Sequence, residues 1–253
     1  MKIYLIRHGA EDGSVRGGWS KTPLTEEGRA QSLTAAERLA KEPDADIARI
    51  FSSDLLRAAQ TARIISDRLS VPVAYLPQFR EVNNGVLAGM ANERADKEYP
   101  GLYWRTLAFD EHYPGGESPH EFYDRISAAW GDLVTSVRGS GKDAALVTHG
   151  GVINVIMHIV DGMPYSNQTP SFCIGNAEYT AVEAHSCCFN CRNTISSKQS
   201  RVSQHISALD RRGDYGASGA RVFPRGGERG KIHKGSGAAP RDSAHAVAPD
   251  SRA

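Results

Sequence analysis

A chain of 253 residues, with 30 Lys/Arg against 29 Asp/Glu, has room for one large domain or for one medium domain with an appendage. The net charge of +1 describes neither part: residues after 185 carry 12 basic and 5 acidic groups, which leaves 18 and 24 before them, so a body of −6 precedes a tail of +7. The longest apolar stretch, GGVINVIMHIV, is interrupted by Asn154 and His158 and is too short to span a bilayer. A secretory signal does not fit where a core strand starts at Lys2, so a soluble, cytoplasmic protein is expected.

In chain order, Ile3 to Ile6 is a short apolar run suited to a buried strand, and it ends in Arg7-His8-Gly9. Thr25 is placed to cap a helix with Glu26 and Glu27 in its first turn and Leu33, Ala36, Leu39 and Ala40 at helical spacing. IARIFSS reads as a strand. Ser53 or Asp54 then caps a helix to about Leu69, with Leu56, Ala59, Ala62, Ile65 and Leu69 on its apolar face. VPVAYL is a third strand. A looser region from Asn83 to Pro119 holds Tyr99, Tyr103, Trp104, Phe109, His112 and Tyr113, which form a satellite core or a substrate lid; core is the reading favoured for most of them. A helix covers about His120 to Val137, AALVT is a fourth strand ending at Thr148-His149, Gly150 and Gly151 open a helix to about Val160, and AEYTAVE alternates as a last strand. This order predicts an α/β fold, a mainly parallel sheet flanked by helices on both faces.

Ligands in such sheets gather at the carboxyl ends of the strands. Arg7 and His8 end the first strand, Arg57 follows the second, and His149 ends the fourth. Two arginines and two histidines on one edge, beside helix amino termini with unpaired N–H groups, describe an anion pocket. A phosphoryl group is the expected ligand. Forked donors from Arg7 and Arg57 suit its oxygens, and a neutral His8 is nucleophilic through one nitrogen if the other holds its proton against an acceptor such as a carbonyl of the Gly9 turn.

The stretches LIRHGAE, PLTEEGRAQ, FSSDLLRAAQTA, FREVNNG, PGGES and VTHGGVI, in this order and spacing, resemble the histidine phosphatase superfamily, the phosphoglycerate-mutase-like proteins, over residues 1 to about 183. The resemblance implies an α/β sandwich, His8 as nucleophile, Arg7, Arg57 and His149 around the phosphoryl oxygens with Gly150 beside them, and Glu81 as proton donor. It also puts Glu117 and Ser118 near the substrate. Many members carry an Asn a few residues after the RHG; here DGSVRGG stands instead, with Ser14 or Arg16 as its substitute. Arg80 and Glu81 have a plainer reading as a surface ion pair.

No phosphate-binding loop of the G-x-x-x-x-G-K-[ST] type, no Cys followed six residues on by Arg, and no two-metal cluster of carboxylates and histidines occurs, so no metal and no cofactor are expected. The expected partner is a small-molecule phosphate ester, with no membrane and no specific nucleic acid; an oligomer stays open. A metal-independent phosphomonoester hydrolase acting through a phosphohistidine is the expected function, with a phosphoglycerate-type mutase or a silent phosphate binder as the alternatives, and none of the residues a silent binder would lose is missing. The domain is expected to cover residues 1–185. Residues 186–253, rich in Gly, Ser, Ala, Arg and Pro, read as a basic disordered tail or a non-native, out-of-frame end. Cys188 and Cys191 have the spacing of half a zinc site with no second half, and the four cysteines cannot staple the core.

Overall fold

The computed structural model describes residues 1–169 and 171–184. The expectations for the tail, and for Cys187, Cys188 and Cys191, lie outside the described residues.

Five strands, β1 (Lys2–Arg7), β2 (Ile47–Ser52), β3 (Val73–Tyr75), β4 (Asp143–Thr148) and β5 (Tyr179–Glu183), form one sheet in the order β3-β2-β4-β1-β5. β1, β2, β3 and β4 run parallel, and β5 is antiparallel to β1. Alternate side chains feed two cores, as a strand period of two requires. Ile3, Leu5, Phe51 and Leu146 pack under α4 (Pro119–Ser140) and α5 (Gly150–Val160). Tyr4, Ile6, Ile50, Ala145 and Val147 pack under α1 (Glu26–Leu39) and α2 (Leu56–Leu69). The expected sheet with helices on both faces is therefore present. No helix among the described residues is long and apolar enough to cross a membrane.

Local signals set the helix starts. The Thr25 side chain accepts from the Gly28 N–H at 3.0 Å, and Ser118 forms a capping box with Glu121 before Pro119. α2 departs from expectation: its N-cap is Leu55, without a side-chain bond, because Asp54 is turned to Arg80 and Ser53 toward His149. Of the expected helix faces, Ala36, Leu39, Ala62 and Ile65 are buried as the spacing predicts. Leu33 and Leu56 are exposed, whereas Ser32, Ala35, Arg57, Ala58 and Thr61 are buried. In α2 the buried face is widened to take in Arg57, which points inward under the sheet edge.

The loose region contains a helix the sequence reading left out, α3 (Asn92–Glu98). Leu87, Ala95, Leu107 and Tyr113 form a small core there, with Trp104 stacked on Tyr113 at 6.2 Å and edge-on to Phe122 at 5.4 Å. Phe109 is instead exposed and stacks on His120.

Candidate active site

The parallel register of β1 and β4 pairs Arg7 with Thr148, so the next residue of each strand, His8 and His149, emerges side by side. The His8 N–H donates to the Thr148 carbonyl at 3.0 Å, and the two imidazole centroids stand 5.0 Å apart. The turn after His8 is closed by α1. A Cβ on Gly9 would stand 2.2 Å from the Gly28 carbonyl oxygen, and one on Gly28 would stand 2.1 Å from that of Ala10, so both positions must be glycine for strand end and helix to meet.

His8 is buried, and its Nδ1 lies 2.7 Å from the Gly9 carbonyl oxygen. A carbonyl only accepts, so Nδ1 carries the proton and Nε2 keeps its lone pair. Arg57 Nε donates to that Nε2 at 3.2 Å. Burial first, then the Arg57 charge, pushes the His8 pKa well below 6.5, with Arg7 adding to the effect and the Gly9 carbonyl opposing it. The ring is a free base at neutral pH.

Arg57, although charged, is 1 % exposed. Its Nη1 donates to Ser20 Oγ at 3.2 Å, its Nη2 to the Gly18 carbonyl at 2.8 Å, and Glu11 Oε1 lies 3.2 Å from Nε. Thr61 Oγ1 accepts from the Gly9 N–H and donates to the Arg57 carbonyl, linking the His8 turn to α2. Arg7 Nη1 donates to the Ile174 carbonyl at 2.8 Å, while its Nε is buried without a partner. His149 is fully buried with Nε2 on Ser53 Oγ at 2.9 Å and Nδ1 unpartnered. Its pKa is likewise driven well below 6.5, by burial and then by Arg57, His8, Arg7 and Arg125. Arg7 Nε and His149 Nδ1 thus retain unused hydrogen-bonding capacity in a buried site.

Glu81 reaches the same edge from the loop after β3. Its Oε2 accepts from the Gly151 N–H at 3.1 Å, in the first turn of α5, and its Oε1 from the Val82 N–H at 3.1 Å. A Cβ on Gly151 would stand 2.4 Å from Glu81 Oε1, so the approach needs glycine there. Gly150, next to it, faces Arg7. The surface-pair reading of Arg80-Glu81 fails, because Arg80 forms a two-point ion pair with Asp54.

The backbone of Glu81 is held from outside the pocket. Arg125 of α4 donates to the carbonyls of Gln78, Arg80 and Glu81, and Trp19 Nε1 donates to the Glu81 carbonyl at 2.7 Å. Glu117 accepts from Arg125 and, at 2.7 Å, from the Asn83 N–H. Glu117 and Ser118, expected near the substrate, find their partners in the frame of the site. Glu117 braces the loop of Glu81, and Ser118 is a buried helix cap. Ser14 and Arg16 do not join the pocket groups either: Ser14 is exposed in a turn on Asp12, and Arg16 pairs with Asp96 and lies over the Tyr103 ring. Sequence reasoning brought together His8, Arg7, Arg57, His149, Gly150 and Glu81. It missed Glu11, Ser20, Ser53, Arg125 and Gly151, of which only Gly151 carried a local signal, the doubled glycine opening a helix. Among the described residues no group of three or more His, Cys, Asp or Glu is arranged to hold a metal ion.

The family model described as histidine phosphatase superfamily, branch 1, matches residues 3–196. The chain belongs to the histidine phosphatase superfamily. A glucosyl-3-phosphoglycerate phosphatase of Mycolicibacterium vanbaalenii is 34 % identical over 195 residues, 73 % of this chain and 84 % of that one. A protein of Enterobacter sp. strain 638 named a probable phosphoglycerate mutase is 34 % identical over 170 residues, 65 % of this chain and 76 % of its own. The solved structure of a mycobacterial glucosyl-3-phosphoglycerate phosphatase in complex with VO3 is 32 % identical, with a TM-score of 0.62, covering 72 % of this chain and 90 % of that one. Membership of this superfamily, together with phosphatase relatives at this similarity, makes the chain a phosphoric monoester hydrolase.

Proposed function

We propose that the enzyme hydrolyses a small phosphorylated metabolite through a phosphohistidine formed on His8. The observation that carries this reading is the fixed tautomer: Nδ1–H on the Gly9 carbonyl leaves the Nε2 lone pair beside the Arg57 guanidinium. Nε2 attacks phosphorus and the bond to the ester oxygen breaks, while Glu81 gives that oxygen its proton. Water then attacks the phosphohistidine, Glu81 takes back a proton, and inorganic phosphate leaves. Arg7, Arg57 and His149 neutralise charge on the equatorial oxygens, which is most of what phosphoryl transfer asks of a protein. Gly150 brings the first turn of α5 against Arg7.

The phosphoglycerate conjugate in the name of one relative makes phosphorylated hydroxy acids and their sugar conjugates the first substrates to screen. A cytoplasmic location goes with this reading, because phosphorylated metabolites are anions that do not cross a bilayer unaided. So does a catalytic domain of residues 1–185, since every side chain given a role here precedes residue 152. Rapid acid-free quenching with labelled substrate should trap an acid-labile, alkali-stable phosphoenzyme in the native protein and none in His8→Ala. Retention of both label and turnover by that variant would overturn the mechanism.

A further inference from the structure

One charged group of the pocket has no part in the reaction above. Glu11, in the loop after β1, sets Oε1 3.2 Å from Arg57 Nε, the nitrogen that itself lies 3.2 Å from His8 Nε2. The Glu11 backbone is pinned by a bridge to Leu24, and Gly17 closes on the carboxylate, where a Cβ would stand 3.3 Å from Oε1. Oε2 is shut away from solvent without a hydrogen-bond partner. A phosphoryl group bonded to His8 Nε2 must set an oxygen beside Arg57 Nε, because that N–H is already within reach of the attacking nitrogen. Glu11 Oε1 and the phosphoryl oxygen therefore compete for one donor, and two anions sharing one largely buried guanidinium nitrogen repel each other.

We propose that Glu11 is a resident counter-ion of the phosphoryl site, which releases Arg57 and holds a proton more readily whenever a phosphate ester or inorganic phosphate binds. This inference rests on the phosphoryl site of the proposed function. The charged groups around Glu11 already lean that way: burial, Glu81 and Asp12 raise its pKa above 4.5 against the opposing charges of Arg57 and Arg7, while His8, across Arg57 Nε, is neutral. An entering anion adds negative charge on the same side. The site is thereby tuned against its own product, since inorganic phosphate must displace an internal anion to stay, and its hold should weaken further as pH rises.

The test is calorimetric titration of the full chain with inorganic phosphate, from about pH 5 to about pH 8, in buffers of different ionisation heat. Within this range the native protein should take up more protons on binding than Glu11→Gln, by at most one. Glu11→Gln should bind phosphate roughly tenfold more tightly at the alkaline end, the equivalent of one pKa unit of differential interaction, and the difference should shrink toward about pH 5. Comparison at each pH cancels the titration of phosphate itself. Glu11→Ala removes the hydrogen-bonding atoms as well as the charge and should gain affinity in the same sense, so a folding defect in one variant leaves the other to decide. Equal affinity and proton uptake in native and variant proteins, or weaker binding by the variants, overturns the inference and leaves the phosphoryl site standing. Failure of the native protein and both variants to bind phosphate overturns the site and the inference together.

Discussion

At His8 one carbonyl selects which nitrogen reacts. The Gly9 oxygen takes the Nδ1 proton, burial and two guanidinium groups keep a second proton off, and Nε2 is left as the free base. Glu81 works differently, since its carboxylate is aimed by two backbone N–H groups rather than by another side chain. If it protonates the leaving oxygen, Glu81→Gln should slow alkyl phosphates by roughly 10² to 10⁴, the usual span of general acid catalysis, and p-nitrophenyl phosphate far less. Steady-state kinetics on the two ester classes decide it. Equal slowing would move the acid role elsewhere.

At the scale of elements, the site depends on how closely backbones approach. Gly151→Ala is a test in which stability and activity should separate. Alanine favours a helix over glycine by up to about 1 kcal/mol, so the thermal midpoint should hold or rise. The new methyl would stand 2.4 Å from Glu81 Oε1 and push the carboxylate off its aim, and a misplacement of about 1 Å can cost about 10²-fold in kcat. A variant with native kcat on alkyl phosphates would show that Glu81 does not act from this position.

The same scale explains what the sequence could and could not disclose. Strands were legible because buried runs such as Ile3 to Ile6 leave few alternatives, and the site edge followed from three strand ends read together. In α1 and α2 apolar spacing marks Ala36, Leu39, Ala62 and Ile65 correctly and fails at Leu33 and Leu56, because α2 packs its inward face around a buried arginine. No periodicity announces a charged residue as core. The bracing of Glu81 by Arg125, 44 positions away, and the approach of Glu11 to Arg57 are tertiary facts with no local pattern to betray them. Ser14 and Arg16 were chosen by position relative to the RHG, and the turn on Asp12 and the pair with Asp96 sent them elsewhere.

For the whole molecule, the two neutral histidines tie stability to pH. Both have folded pKa values well below the ordinary 6.5, so between the two values the unfolded chain binds more protons. Their contribution is fully present above about 6.5 and is lost as pH falls toward the folded values, at about 1.4 kcal/mol per pH unit for each and about 2.7 for the pair. Glu11 acts in the opposite sense, since a raised carboxyl favours the folded state below 4.5 and loses that contribution as pH climbs through its folded value. Urea midpoints should therefore fall between about pH 6.5 and about pH 5.5, and His149→Gln should roughly halve the slope. An unchanged slope would mean that His149 titrates normally.

The sheet order also bears on how the enzyme comes into being on the ribosome. β1, the first strand to be synthesised, lies between β4 and β5, the last two, and the carbonyl of His8 is held by the N–H of Ala177. An emerging chain can dock α1 and α2 early, but β1 lacks β4 until synthesis has passed residue 148 and β5 until it has passed residue 183. Such distant pairings make closure of the sheet a late event. A half-made chain therefore exposes the RHG segment without the His149 that completes the pocket, and hydrolytic activity switches on only once nearly all of the sheet has been translated.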